Sequence, residues 1–323
     1  MKAARILSMG FVLLTMPSPA VDAMADDAWP TKQPIHLIVP YAAGGNADVV
    51  ARATAGYMTK ALNAHIVVEN HPGAGGVIGT LATAKAPADG YWLCVCGVGS
   101  ISVGPAIEAA PYDPLRDIVP VSLINTSPLI LVVNRNSPPN SVGELIAWAN
   151  SNPAGLTYGS SGIGGLMHVA GEVFRNRTGI ELTHVPYRGS GQTIAALFTG
   201  EIDLAFAIAS DVTGQISAVR AIGVTTARRS PYLPDVPTIM EQGIPDFDLT
   251  SWIGLFAPPG TPESTMAKLA QTMADMAKSA ETQKIYADFG ATAAANSPTQ
   301  FGEQLRSEAI RWKQYLRGLV VKK

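Results

Sequence analysis

The sequence predicts an α/β protein with two domains of similar size, joined by a hinge that the chain crosses twice. A length of 323 residues exceeds the usual size of one hydrophobic core. Short apolar runs typical of strands alternate with stretches of helical periodicity. A strand, a glycine turn and a helix occur in that order near residue 35 and again near residue 157. We therefore expect mostly parallel sheets covered by helices.

The periodicity of apolar residues places the elements along the chain. Strands are predicted at residues 35–39, 66–69, 92–95, 129–133, 157–158, 182–185, 204–206 and 221–225. Helices are predicted at residues 47–62, 75–86, 141–150, 166–178, 192–199, 262–279 and 298–318.

Two apolar stretches with little turn punctuation, 118–134 and 249–259, are interpreted as the crossings between the domains. The last two helices are expected to pack on the first domain, which makes that domain discontinuous. The prediction is a signal peptide at residues 1–25, a first domain of residues 26–125 and 253–323, and a second domain of residues 126–252.

The N-terminus has the features of a secretory signal peptide: Lys2 and Arg5, an apolar run from 6 to 16, and a cleavage site near Ala25. That run is shorter than the roughly 18 apolar residues of a membrane span. We therefore expect a periplasmic protein that is not inserted into the membrane. A net charge of −2 argues against nucleic acid as a partner.

The chain contains two cysteines, Cys94 and Cys96, which alternate along a predicted strand. They are interpreted as two small buried thiols, because cysteine is among the most buried residue types. The histidines lack the spacing of a zinc site, so neither a metal nor a cofactor is predicted. They are His36, His65, His71, His168 and His184.

Two glycine-rich turns, 41–48 and 159–165, each lead into a predicted helix. Unpaired N–H groups and the positive end of the helix dipole favour an anion at such a turn. Neither turn has the spacing of a phosphate-binding or dinucleotide-binding loop. The pair predicts a small anion held between the domains, with Asp48 either bracing its turn or contacting the ligand.

Other side chains leave alternatives open. Arg188 either binds a ligand carboxylate or pairs with a carboxylate such as Asp203. His168 has a structural or ligand-orienting role, or it serves Ser160 or Ser161 in a secreted serine hydrolase. That alternative lacks the G-x-S-x-G motif around either serine.

Several segments, in this order, closely resemble the Bug family, the TctC-type extracytoplasmic solute-binding proteins of tripartite tricarboxylate transporters. The resemblance covers nearly the whole mature chain. The segments are Val39-Pro-Tyr-Ala-Ala-Gly-Gly-Asn-Ala-Asp48, Val68-Glu-Asn-His-Pro-Gly-Ala-Gly-Gly76, Ala86-Pro-Ala-Asp-Gly-Tyr91, Tyr158-Gly-Ser-Ser-Gly-Ile-Gly-Gly165, Val185-Pro-Tyr-Arg-Gly189, Gly200-Glu-Ile-Asp203 and Trp252-Ile-Gly-Leu-Phe-Ala-Pro-Pro-Gly-Thr-Pro262.

The resemblance implies the two-lobed periplasmic-binding-protein (Venus flytrap) fold, closing on one small organic carboxylate without catalysis. A tripartite tricarboxylate membrane transporter or a sensor would be the partner, and a monomer is expected. Ala207 departs from the family, which often has aspartate there. The predicted ligand-binding residues are Tyr41, Ala42, Ala43, Gly44, Gly45, Asn46, Asp48, Ser100, Ser160, Ser161, Gly162, Gly164, Gly165, His168, Tyr187, Arg188, Phe206 and Ala207.

Overall fold

The computed structural model describes residues 29–107, 110–212 and 218–316. The predicted signal peptide and the end of the last predicted helix lie outside these residues. Within them the chain forms ten strands and ten α-helices, numbered β1–β10 and α1–α10 in chain order. None of the helices in this part of the chain has both the length and the apolar character that a membrane span requires.

The strands are Ile35–Val39, Ile66–Asn70, Trp92–Gly97, Val119–Asn134, Leu156–Ser160, Leu182–Pro186, Leu204–Ile208, Val219–Val224, Thr250–Ala257 and Thr292–Ala293. The helices are Asn46–Leu62, Val77–Ala84, Gly104–Ile107, Val142–Ser151, Leu166–Thr178, Ser190–Thr199, Ala209–Val212, Glu263–Lys278, Ala280–Asp288 and Pro298–Tyr315. A 3₁₀ turn at Ala74–Gly76 and a π-helical turn at Gly99–Val103 complete the elements near the cleft described below.

One curled sheet runs through the molecule in the order β2-β1-β3-β9-β4-β7-β5-β6. Parallel pairs occur at both ends, β1 with β2 and β3 at one end and β5 with β6 and β7 at the other. We call β1–β3, β9 and β10 with helices α1–α3 and α8–α10 the first lobe. The second lobe consists of β5–β8 with helices α4–α7. The α/β class agrees with the sequence prediction, but the expectation of mostly parallel sheets is wrong, because β4 and β9 at the centre pair antiparallel with their neighbours.

Strand β4 belongs to both lobes. Its residues 119–128 pair with β9, and its residues 129–134 pair with β7 and β8. The sequence prediction recognised only 129–133 as strand, because an uninterrupted apolar run does not show where a strand buried on both faces begins. The predicted domain limits at 126 and 253 lie close to this change of partner and remain a prediction.

Helix α8 packs on the first lobe. Leu269 and Met273 of α8 are fully buried in one core with Leu37 of β1 and Met58 of α1. Helix α10 begins with a capping box between Ser297 and Gln300, a strong helix-start signal. Helix α9 was missed, although the hydroxyl of its N-cap residue, Ser279, accepts a hydrogen bond from the Thr282 N–H.

The prediction of two free thiols is wrong, because Cys94 and Cys96 form a disulfide. Both lie on β3 with side chains on the same face, since residues two apart in a strand point the same way. Their Cα atoms are 5.3 Å apart, within the usual range for a disulfide. Both cysteines are buried, as expected, and a disulfide is consistent with the export that the predicted signal peptide implies.

Candidate functional site: a cleft between the two lobes

A cleft of about 150 Å³ lies between the lobes. It is at the carboxyl ends of β1, β3, β5, β6 and β7, the edge where open α/β sheets bind ligands. Seven predicted ligand residues line it: Tyr41, Ala42, Ala43, Gly45, Asn46, Ser161 and Gly165. Fourteen residues of its lining are outside the predicted set: Ala47, Gly97, Val98, Gly99, Leu166, Met167, Gly189, Ser190, Gly191, Gln192, Ile208, Ser251, Trp252 and Ile253.

Among the residues that the structure describes, none of those lining the cleft has a charged side chain. Three α-helices begin at this lining, α1, α5 and α6, and a glycine precedes each of them. None of these glycines supplies a side-chain cap, so the first backbone N–H groups of the three helices are available at the cleft, except that of Asn46, which Asp211 accepts. Leu166, Met167 and Ser190 follow directly on these turns, so the turns are the signal that could have found them.

Asp48 braces the first turn. Its carboxylate accepts hydrogen bonds from the Gly44 N–H at 2.9 Å and from Asn70 Nδ2 at 3.1 Å. The Arg52 guanidinium adds a bidentate contact at 2.9 and 3.0 Å. Asn70 also donates to the Tyr41 carbonyl, so the turn is tied to the end of β2. These contacts explain why Asp48 and Gly44 do not line the cleft.

Burial pushes the pKa of Asp48 up, but hydrogen bonds from Arg52, Gly44 and Asn70 outweigh burial and hold that pKa below its usual value. A depressed pKa in the folded state stabilises the protein above the unfolded pKa, and this stabilisation is lost as the pH falls through the folded pKa.

We therefore expect Asp48→Asn to lower the free energy of unfolding by roughly 1 to 3 kcal/mol at pH 7. The deficit relative to wild type should begin to shrink below about pH 4, where the carboxyl of the unfolded chain takes up a proton, and it should vanish once the pH has fallen through the lower pKa of the folded protein. Urea unfolding at pH 7, 5 and 3 measures it, with the exposed Asp235→Asn as a matched control. An Asp48→Asn deficit that is the same at all three pH values would contradict the role of the charge.

The second turn is held from behind by buried side chains. Ser160 Oγ lies 2.7 Å from His184 Nε2, and His168 Nδ1 accepts a hydrogen bond from the Gly164 N–H at 3.0 Å. The two imidazole rings stack with centroids 3.9 Å apart. Burial, and then the neighbouring His168 ring, lower the pKa of His184 to about 3. Ser160 and His168 therefore support the turn and lie outside the lining of the cleft.

The serine hydrolase alternative finds no support. Ser160 is 0 % exposed, and its histidine partner is His184 rather than His168. Ser161 does line the cleft, but the Nδ1 atom of His168 is engaged with the backbone of Gly164.

Helix α5 is fixed to β5 through Tyr158. The phenol donates a hydrogen bond to the Glu172 carboxylate at 2.8 Å, and Arg175 approaches the same carboxylate at 2.6 Å. Gly171 faces the Tyr158 ring directly, and a Cβ atom at that position would overlap the ring. This packing sets the position of the first amides of α5 in the cleft.

Several predicted ligand residues lie away from the cleft lining. The Arg188 side chain is exposed, and Asp203, its alternative partner, accepts hydrogen bonds from the N–H and hydroxyl of Thr157. The Tyr187 hydroxyl donates to Glu201 at 2.8 Å.

The N–H groups of Gly162 and Gly164 serve the second turn itself, through Ser160 and His168. Phe206 packs on Phe174 and Phe247 in the core, while Ala207 and Ser100 are buried in the lobes. Apolar residues of a central strand are drawn into the core, which is why Phe206 does not reach the cleft.

Asp211 was missed altogether. This residue of the short helix α7 belongs to the second lobe, yet its Oδ1 atom accepts the Asn46 N–H of the first lobe at 3.2 Å. It also accepts the Ser190 hydroxyl at 2.9 Å. Burial raises the pKa of Asp211 to about 6, although the hydrogen bonds from Ser190 and Asn46 counteract it.

Glycines also allow the lobes to approach closely. A Cβ at Gly189 would be 3.3 Å from the Ala42 side chain, and one at Gly75 would be 2.8 Å from the Ile163 carbonyl. Both pairs join residues of opposite lobes. The structure therefore has the lobes in contact around the cleft.

Trp252 of β9 forms one wall. Its indole N–H points at the Glu308 carboxylate, 3.0 Å from either oxygen, and its ring packs on Phe301. In the part of the chain that the structure describes, no group of His, Cys, Asp and Glu residues could hold a metal ion. The chemistry available in the cleft is hydrogen bonding to an anion beside apolar walls.

A family model described as "Tripartite tricarboxylate transporter family receptor" (TctC) matches residues 50–320. The chain belongs to the TctC receptor family. The protein BugT of Bordetella pertussis is 33% identical to it over 321 residues, covering 98% of this chain and 98% of BugT. TctC membership makes the chain one of the periplasmic solute-binding proteins, and the resemblance noted in its sequence is confirmed.

Solved structures agree with the TctC assignment and with the two-lobed fold. The periplasmic binding protein BugD has a TM-score of 0.85 at 31% identity, covering 90% of this chain and 99% of BugD. Rpa4515 of R. palustris, solved with adipate, has a TM-score of 0.86 at 32% identity, with 90% and 97% covered.

Proposed function

We propose that the chain is a periplasmic receptor that binds one small organic carboxylate in the cleft and delivers it to a tripartite tricarboxylate transporter or a sensor. The observation that carries the proposal is an uncharged cleft at which three helices begin, each presenting backbone N–H groups. Such groups bind a carboxylate without a cationic side chain. The relative solved with adipate supports the same ligand class.

The proposal includes closure of the two lobes around the ligand, because the backbone N–H donors at the cleft come from both lobes. The first amides of α1 belong to the first lobe, and those of α5 and α6 belong to the second. A ligand between them contacts both lobes only when they are together, so binding shifts the population towards the closed form. The proposal includes the domain limits at 126 and 253, a monomer, cleavage near Ala25, no cofactor and no catalysis.

The test is a thermal-shift screen of the protein starting at Asp26 against mono-, di- and tricarboxylates, amino acids and aromatic acids. The amide of each acid serves as its matched control, because it keeps the shape and loses the charge. A carboxylate at 100 times its Kd is expected to stabilise the fold by about 2.7 kcal/mol. The amide should give little or no shift.

A panel in which no acid raises the melting temperature of a cooperatively folded sample would contradict the proposal. Turnover of an acid or its ester by the purified protein would contradict the absence of catalysis.

A further inference from the structure

Helix α10 carries a carboxylate on its buried face. Phe301, Leu305 and Trp312 of this helix are buried, at the spacing of a single helix face. Glu308 lies on the same face, between Leu305 and Trp312, and is only partly exposed. Charged side chains rarely occupy such positions without partners. The partners of Glu308 therefore indicate what it does.

Three neutral donors converge on the Glu308 carboxylate. The indole N–H of Trp252 lies 3.0 Å from either oxygen. The Ser102 hydroxyl donates to Oε2 at 2.9 Å, and Gln304 Nε2 donates to Oε1 at 3.0 Å. Hydrogen bonds to a carboxylate are stronger than those between neutral groups. Glu308 therefore ties α10 to β9 and to the π-helical turn at Gly99–Val103.

Both of these elements border the cleft. Trp252 itself lines it, and so do Val98 and Gly99 at the beginning of the π-helical turn that contains Ser102. Glu308 does not line the cleft. It therefore contacts two parts of the wall without being able to touch a ligand held in the cleft.

The Trp252 ring needs this partner. Phe301 and Phe256 pack on the ring, with centroids 5.4 and 6.3 Å from its own. An indole has one donor and no acceptor, and Trp252 is only 3% exposed. A buried N–H that loses its acceptor is costly. Without Glu308, the ring would gain by turning its N–H towards water in the cleft, which would place the indole in the space of the ligand.

We propose that Glu308 is a positioning residue of the ligand site. It fixes the orientation of the Trp252 ring, keeps the cleft open to the ligand, and thereby sets the affinity of the receptor. This inference rests on the proposed function and adds to it a residue that acts from outside the cleft.

The test is titration calorimetry with adipate or, if the wild type does not bind adipate, with the acid that gives the largest thermal shift in the screen. Glu308→Leu removes both acceptor oxygens and should raise the Kd about tenfold or more. Glu308→Gln keeps one acceptor oxygen and should stay within about threefold of the wild-type Kd. Glu303→Leu, at an exposed position of the same helix, is the matched control and should bind normally.

Two further readouts separate positioning of Trp252 from a general effect on the fold. Trp252→Phe keeps a ring but has no N–H, so adding Glu308→Leu to it should change the Kd by less than about threefold. The indole N–H resonance of Trp252, identified by its absence in Trp252→Phe, should move upfield in Glu308→Leu and stay in place in Glu303→Leu. This NMR measurement needs no acid.

Three results would overturn the inference and leave the proposed function intact. One is a folded Glu308→Leu protein with the wild-type Kd. Another is a loss of affinity on Glu308→Leu that is as large in the Trp252→Phe background as in the wild type. The third is a Trp252 resonance that does not move in Glu308→Leu. If no acid in the screen binds the wild type, the proposed function itself fails.

Discussion

Alanine at position 171 is expected to lower the melting temperature by roughly 6 °C or more, equivalent to about 3 kcal/mol in a chain of this size. Replacing a glycine within a helix by alanine normally stabilises by up to about 1 kcal/mol. Here the added Cβ would overlap the ring of Tyr158, which is fully buried and held at its hydroxyl by Glu172. The helix or the ring must move, and overpacking of this kind is costly in a dense core.

Gly56→Ala provides the matched control, since Gly56 lies in helix α1 with open space where its Cβ would be. It should raise the melting temperature slightly. A second check is the double variant Gly171→Ala with Tyr158→Leu, in which the alanine should cost much less than it does alone. If Gly171→Ala and Gly56→Ala behave alike in thermal unfolding, the assigned packing of α5 against Tyr158 is wrong.

Valine at position 189 is expected to weaken ligand binding by about tenfold to a hundredfold. Overpacking of this kind would destabilise the closed, ligand-bound form by roughly 1 to 3 kcal/mol, and each 1.4 kcal/mol raises the Kd about tenfold. The Cβ of the new side chain would lie 3.3 Å from the Ala42 side chain of the opposite lobe, and its two methyl groups would press closer still. Gly189 has extended backbone angles, so valine fits the conformation. The clash exists only when the lobes are together.

Unliganded Gly189→Val should therefore unfold at nearly the wild-type temperature. Calorimetry with the acid found in the screen measures the affinity, and small-angle scattering measures whether the ligand still compacts the molecule. Gly143→Val, in the first turn of α4 with no atom nearer than 4.0 Å to its Cβ, is the control and should bind normally. Wild-type affinity in Gly189→Val would show that closure does not bring Gly189 against Ala42.

Local patterns were sufficient to predict most of the fold. The two glycine turns and most of the strands and helices follow from periodicity and turn chemistry, which are local properties. The full length of β4 could not be predicted, because its limits are set by partners far away in the sequence.

The site was predicted less completely, for a related reason. The turns at Tyr41 and Ser161 line the cleft as expected, but the wall at Trp252 and the carboxylate of Asp211 arrive from distant segments. Asp211 bonds to a residue 165 positions away, a contact without any local signature. Arg188 had the right chemistry for a carboxylate, yet its exposure depends on the packing of the second lobe.

The strand shared by both lobes has a mechanical consequence. A continuous strand of 16 residues cannot swivel as a flexible loop does, so relative motion of the lobes must bend or twist β4 and its neighbour β9. The pairing of β4 shifts register between Pro120 and Ser122, between Leu123 and Asn125, and between Leu131 and Val132, and such bulges are where strands bend most easily. We therefore expect the lobes to favour one relative angle, because any other angle deforms the pairing of β4 at these bulges.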